Sequence, residues 1–250
     1  MAKTVQKKSN AKFVGVLVLV AVAGVATLGY MVAQPRAGIR PVDPNLAPGT
    51  AEGYLAGNPA APVQVIEFGD FECPACGQWS AVTEPDVRTR LISTGQISFR
   101  FYDFPLDMHK NTWPASNAAA CASDQGKFWE MHDQLFATQD QWNGEATRDP
   151  SKVLQRLAQS LGLDMEKWQQ CFDSQVHYPR IKANQAEAIR RGINQTPTFI
   201  IGSTVYPGAV PFDQFRKAVE DEAAKVAAAT APSKAASRAA TKPPSKKNPF

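Results

Sequence analysis

Cys73-Pro74-Ala75-Cys76 places two thiols one helical turn apart, just after the apolar run Val63 to Phe68 and at the start of a segment that reads as a helix. A helix N-terminus is where a thiol becomes a thiolate, because unpaired backbone N–H groups and the positive end of the helix dipole stabilise a negative sulfur there. Cys73 is therefore the expected nucleophile. Two intervening residues let the second sulfur reach the first, so the pair can cycle between dithiol and disulfide, with Cys76 as the resolving partner.

Other uses of two cysteines at this spacing fit the chain less well. A c-type haem site needs histidine directly after the second cysteine, and position 77 is glycine. A zinc site needs two more ligands, usually a second close pair, whereas Cys121 and Cys171 stand far apart. A disulfide serving only as a staple would close too small a loop to remove much chain entropy. The spacing favours redox chemistry, with no metal.

The elements that position such a pair are legible around it. The order is a buried strand (63–68), a helix from Cys73 into the Val87 to Ile92 region, and a strand (97–101). A long helical stretch follows over about 114–191, broken near Trp142 to Pro150 and near His177 to Pro179. Two short strands (198–201 and 204–206) and a helix from Pro211 to about Ala229 close the domain. This is one α/β domain over 61–229, an ordinary size for a single domain.

The ends of the chain speak to its compartment. Lys3, Lys7, Lys8 and Lys12 precede an uncharged run of 21 residues, Phe13 to Ala33. As a helix that run spans about 31 Å, enough for a hydrocarbon core of roughly 30 Å. We expect a signal anchor over 13–33, with the basic residues 1–12 in the cytoplasm and the rest outside. A small-x-small pattern at Ala21-Val22-Ala23 leaves cleavage after Ala23 as an alternative. Residues 34–60, with Pro35, Pro41, Pro44, Pro48 and Pro59, read as a linker lifting the domain off the membrane. Residues 230–250, rich in Ala, Lys, Pro and Ser, read as a disordered basic tail, either a plain solvated extension or a weak tether to an anionic surface. Nine of the 27 basic residues lie in those two ends, leaving 18 against 23 acidic ones. The body is mildly acidic, which argues against nucleic acid as a partner.

Several motifs together resemble the DsbA-like thiol oxidoreductases. They are Gly57-Asn58-Pro59 with Ala61-Pro62-Val63, then Glu67-Phe68-Gly69-Asp70-Phe71-Glu72 leading into the cysteines, Phe104-Pro105-Leu106, the block Cys121 to Phe136, and Thr196-Pro197-Thr198-Phe199. The resemblance covers about residues 55–228. It implies a thioredoxin-like fold with an inserted helical subdomain. It further implies that Pro197 is a cis-proline beside the sulfurs and that Thr196 and Pro197 present backbone groups to a substrate segment. Glu67, six residues before Cys73, matches the family's buried carboxylate, whose raised pKa suits moving the proton of the resolving thiol. A solvent-facing place on the strand is the alternative for Glu67.

Cys121 and Cys171 both fall in the helical block. A bridge between them would close a loop of about 50 residues, and an oxidising compartment favours it over two separate thiols. The resemblance supports that pairing, since many similar subgroups carry a comparable bridge. His109, His132 and His177 all lie outside the active-site dipeptide and read as surface or structural residues. Pro74-Ala75 lacks the histidine that the best-known family members carry, so the direction of electron flow stays open. The leading expectation is an extracytoplasmic thiol:disulfide oxidoreductase that introduces disulfides into exported proteins with cysteines. No cofactor is needed, because the sulfurs carry the electrons. Re-oxidation implies a membrane protein resembling DsbB or vitamin K epoxide reductase. The alternatives are a reductase or isomerase fed by a membrane relay, and a non-enzymatic peptide-binding chaperone, which would have no need of a reactive dithiol.

Overall fold

The computed structural model describes residues 11–33, 40–41 and 51–230. Most of the basic N-terminus, much of the stretch read as a linker and residues 231–250 of the tail lie outside the described residues. Helix α1 (Ala11–Ala33) stands as a unit by itself, and its exposed side chains include Val16, Val18, Leu19, Val20, Val22 and Val25. Among the described residues no helix is long and apolar enough to cross a membrane.

The second unit is built on a six-stranded sheet in the order β1-β6-β5-β3-β4-β2. Its strands are β1 (Arg40–Pro41), β2 (Tyr54–Ala56), β3 (Val63–Gly69), β4 (Ile97–Asp103), β5 (Thr198–Ile201) and β6 (Thr204–Pro207). Among the described strands only β3 and β4 run parallel, with Val63 opposite Ile97 and Glu67 opposite Phe101. The crossover between them is α2 (Pro74–Val82), α3 (Glu84–Val87) and a π-helical turn over Arg88–Ile92. β3 is central, with Gln64 exposed and Ile66 partly buried in its first half and every residue from Glu67 to Gly69 buried.

One face of the sheet carries Val63, Val65, Phe99 and Phe199 against Trp79, Leu91 and Phe215. The ring of Trp79 lies 4.5 Å from that of Phe199, and its Nε1 donates to the Val210 carbonyl at 2.9 Å. Phe215 comes from the closing helix α10 (Phe212–Thr230). Phe71 and Phe101 face the other way, into a core shared with Phe128, Leu135, Phe136 and Trp142 of the helical insertion.

That insertion joins β4 to β5 and comprises α4 (Thr112–Ser123), α5 (Phe128–Ala137), α6 (Gln139–Trp142), α7 (Ser151–Ser160), α8 (Met165–Ser174) and α9 (Tyr178–Arg190). At its centre α4 buries Ala115, Ala118, Ala119, Ala120 and Ala122, small side chains that let the helices α5, α7, α8 and α9 pack around it. Besides the breaks read from the sequence, the chain turns at Gly126 and Gly162, whose φ of 72° and 70° is the left-handed conformation that ends a helix.

The reading of 34–60 as a linker needs correction at its C-terminal end. Tyr54–Ala56 is a sheet strand, with Tyr54 opposite Phe101, buried and stacked on Phe128. The folded unit thus takes in residues before Ala61. A three-residue strand is too short to show an alternating pattern, and its place is set by pairing with β4 rather than by its own composition.

Candidate active site

Cys73 is the N-cap of α2, with an extended backbone (φ −72°, ψ 121°), and Pro74 opens the helix. Proline suits that position because its fixed φ is already helical and its missing N–H would have found no partner in the first turn. The sulfur of Cys73 is buried to 7 % exposure and donates to the Thr196 carbonyl at 3.5 Å. The Thr196–Pro197 peptide bond, just ahead of β5, is cis. Cys76 lies wholly buried behind Cys73, and both are free thiols.

The two sulfurs sit in unequal environments. A hydrogen bond from the Cys76 thiol, with the backbone N–H groups of Cys76 and Ala75, lowers the Cys73 pKa to about 6, against the opposing effect of burial. Burial and the neighbouring Cys73 push the Cys76 thiol well up. One sulfur is thus ready to attack or leave as a thiolate near neutral pH, while its partner must exchange a proton to do so.

Glu67 lies on β3 with 1 % exposure, so the alternative of a solvent-facing carboxyl does not hold. Burial, then the nearby Glu84 and Cys73, raise its pKa well above the carboxylate range, while Arg88 pulls the other way. Its Oε2 has no hydrogen-bond partner among the described residues. A carboxyl that holds its proton in the folded state and loses it at about 4.3 when unfolded makes folding less favourable as pH rises above that value. Glu67→Gln should therefore be more stable than the parent at neutral pH, with the difference shrinking towards pH 4. Urea titrations across that range check this, and a gap that does not change with pH would show Glu67 to be ionised in the native state.

The turn ahead of Cys73 is held by two further carboxylates that sequence reasoning passed over. Asp70 is fully buried and accepts from the N–H groups of Glu72 and Leu106, at 2.8 Å each, and from the Thr112 hydroxyl at 2.6 Å. His109 Nδ1 lies 2.7 Å from Asp70 Oδ2, and that hydrogen bond raises the imidazole pKa. His109 also lines a cavity of about 280 Å³ with Pro74, Glu72 and Lys110, beside the cysteine pair rather than at a remote surface. Glu72 accepts from the Asn111 and Gly144 N–H groups at 2.6 Å each. In the sequence these two acids stood inside the motif leading into the cysteines, with no role assigned to either. Of the other histidines, His132 is fully buried with rings of Phe71, Phe101 and Phe136 around it, and His177 lies 2.8 Å from Asp124.

Cys121 and Cys171 are joined by a disulfide that ties α4 to α8, with Cα atoms 5.8 Å apart. Cys121 is buried and Cys171 partly so. Glu84, His132 and Asp133 form the remaining group of metal-ligand types among the described residues, and Arg88 occupies it by pairing with both Glu84 and Asp133 at 2.7 Å.

Residues 50–221 match the thioredoxin family model. The chain belongs to the thioredoxin family. Within it the architecture is DsbA-like. Wolbachia pipientis alpha-DsbA1 superposes with a TM-score of 0.65 at 23% identity, over 72% of this chain and 95% of that one. BdbD from Bacillus subtilis does so at 0.61 and 24% identity, over 69% and 93%. These likenesses show a shared fold. In sequence, the chain is 26% identical to the probable disulfide bond formation protein D of Bacillus anthracis over 176 residues, 68% of this chain and 77% of that protein. It is also 33% identical over 180 residues, 72% of its length, to the Na(+)/H(+) antiporter NhaA 3 of Salinispora tropica. That match spans a quarter of the antiporter's own length.

Proposed function

We propose that this thioredoxin-family protein is an extracytoplasmic thiol:disulfide oxidoreductase that oxidises exported proteins. The observation that carries the reading is the contrast between Cys73, acidified at a helix N-terminus and touching the cis-proline loop, and Cys76, buried behind it. In the oxidised enzyme a substrate thiolate attacks Cys73 Sγ, the intramolecular disulfide breaks, and Cys76 leaves and takes a proton, for which Glu67 is the nearby acid. A second substrate thiolate then attacks its own sulfur in the mixed disulfide and releases Cys73 as a thiolate. Two electrons pass to the enzyme, and the substrate gains one disulfide. A buried leaving group that must be protonated and an attacked sulfur that leaves readily suit that order of events.

Lowering the Cys73 pKa stabilises the reduced enzyme and so makes it a stronger oxidant. The reduction potential of the Cys73–Cys76 couple tests the direction. A value near roughly −120 mV is that of an oxidase, and one near roughly −270 mV would overturn this reading in favour of a reductase. Thr196 and Pro197 would hold the substrate chain, and a membrane protein similar to DsbB or vitamin K epoxide reductase would collect the electrons.

Membrane attachment through residues 13–33 belongs to the same proposal. It rests on the sequence, an uncharged run of 21 residues behind four lysines, and not on the described helices, none of which is long and apolar enough to cross a membrane. The full-length protein should stay in the membrane pellet after carbonate washing. A soluble mature form starting near Gly24 or Gln34 would refute the anchor.

A further inference from the structure

Gln139 begins α6, in the helical insertion, and its side-chain amide reaches into the active-site turn. Nε2 donates to the Phe71 carbonyl at 2.6 Å and to the Cys73 carbonyl at 3.0 Å. The Cys73 carbonyl also receives the Gly77 N–H at 3.1 Å, the opening bond of α2. The nucleophile candidate is therefore held from two sides, by its own helix and by a residue 66 positions further along the chain.

The place of that amide is prepared by a missing side chain. A Cβ at position 77 would lie 2.5 Å from Gln139 Oε1 and 2.9 Å from its Cδ, closer than real contacts allow. Gly77 sits within a regular helix, where alanine would be the better helix former, so its absent methyl has a packing reason. Asp70 and Glu72 fix the backbone ahead of Cys73, but among the described residues Gln139 is the one side chain that hydrogen-bonds the Cys73 backbone.

We propose that Gln139 is a positioning residue for thiol–disulfide exchange, a strap by which the helical insertion holds the active-site turn so that the N–H groups of Ala75 and Cys76 face the Cys73 sulfur. This inference rests on the function proposed above. Two physical effects act in the same direction. Pinning the Phe71 and Cys73 carbonyls fixes the peptide planes that set the first turn of α2. The amide protons also offset the negative end of the Cys73 carbonyl, which lies only a few bonds from its own sulfur.

The test uses the reduced full-length protein and three variants, Gln139→Ala, Gly77→Ala and the double variant. Thiolate ultraviolet absorbance against pH gives the Cys73 pKa, and iodoacetamide labelling at pH 5 gives its reactivity. Either single change should raise the pKa by about half a unit to one unit and slow labelling at pH 5 roughly three- to tenfold, because less of the sulfur is ionised. Gly77→Ala should do so without lowering the melting temperature, since it adds a better helix former and displaces only the end of a flexible side chain. The double variant should match either single one, as both remove the same contact. Parental titration in both single variants would overturn the proposal. So would an unshifted thiol in Gly77→Ala beside a shift in Gln139→Ala that comes with lost stability, which would make Gln139 a packing residue of the insertion. Failure of the underlying function reads differently: the parent itself would then titrate near an ordinary 8.5, or Cys76 would label first.

Discussion

Cys73→Ser should reduce exchange activity to the uncatalysed background, whereas Cys76→Ser should accumulate mixed disulfides with protein partners. The asymmetry follows from the two environments. Serine at position 73 removes the sulfur whose pKa the Cys76 thiol and the N–H groups at the start of α2 lower to about 6, and the Cys76 thiol is too buried and too weakly acidic to replace it. Serine at position 76 leaves the attacking sulfur in place but removes the group that would break its adducts. Non-reducing gels of cells expressing each variant, followed by diagonal electrophoresis, give the readout. Adducts formed through Cys76 in the Cys73→Ser protein, at the level seen for Cys76→Ser, would reverse the assignment of roles. The Cys76→Ser adducts should also form fastest above pH 6 and fall away below it, tracking the ionised fraction of Cys73.

Replacing both Cys121 and Cys171 with alanine should cost stability rather than activity. Their bridge closes a loop of 50 residues, for which the chain-entropy model gives about 4 kcal/mol. In a folded unit of this size that corresponds to a fall in melting temperature of roughly 10 °C. The initial rate of model-peptide oxidation should stay within about twofold of the parent, because neither sulfur belongs to the Cys73–Cys76 constellation. Lost turnover with unchanged stability would instead make the pair a redox relay. Dithiothreitol should reduce an oxidised Cys73–Cys76 pair before this bridge. Access alone does not set that order, since Cys171 is partly exposed and Cys73 is buried. The readiness of the acidified Cys73 sulfur to leave does.

What the sequence by itself determined was local. A thiol pair one turn apart, a proline fit for the first helical position and an apolar run before them are features of consecutive residues, and they single out Cys73 and Cys76 as the candidate pair without any knowledge of the fold. The same holds for β3, β4 and the final hairpin, whose apolar patterns are continuous enough to read. The family resemblance set Pro197 and Glu67 near the sulfurs, and tertiary structure decided the contacts made there. The carbonyl that touches Cys73 comes from 123 residues away, and the amide that pins its backbone from 66. Neither contact leaves a periodic trace in the chain, because a hydrogen bond between distant segments constrains two positions and not a pattern. Burial likewise gave Glu67 its raised pKa, and it decided against the solvent-facing alternative that a carboxylate in an apolar strand leaves readable from sequence. His109 was read as surface or structural because it lies outside the dipeptide, and the structure takes the second of these, bonding it to Asp70 at the edge of the candidate site. Tyr54–Ala56 became a strand only because β4 offered a free edge to three residues too few to declare a preference of their own. Reactivity was written in neighbouring residues, and its tuning in contacts that only the closed chain can make.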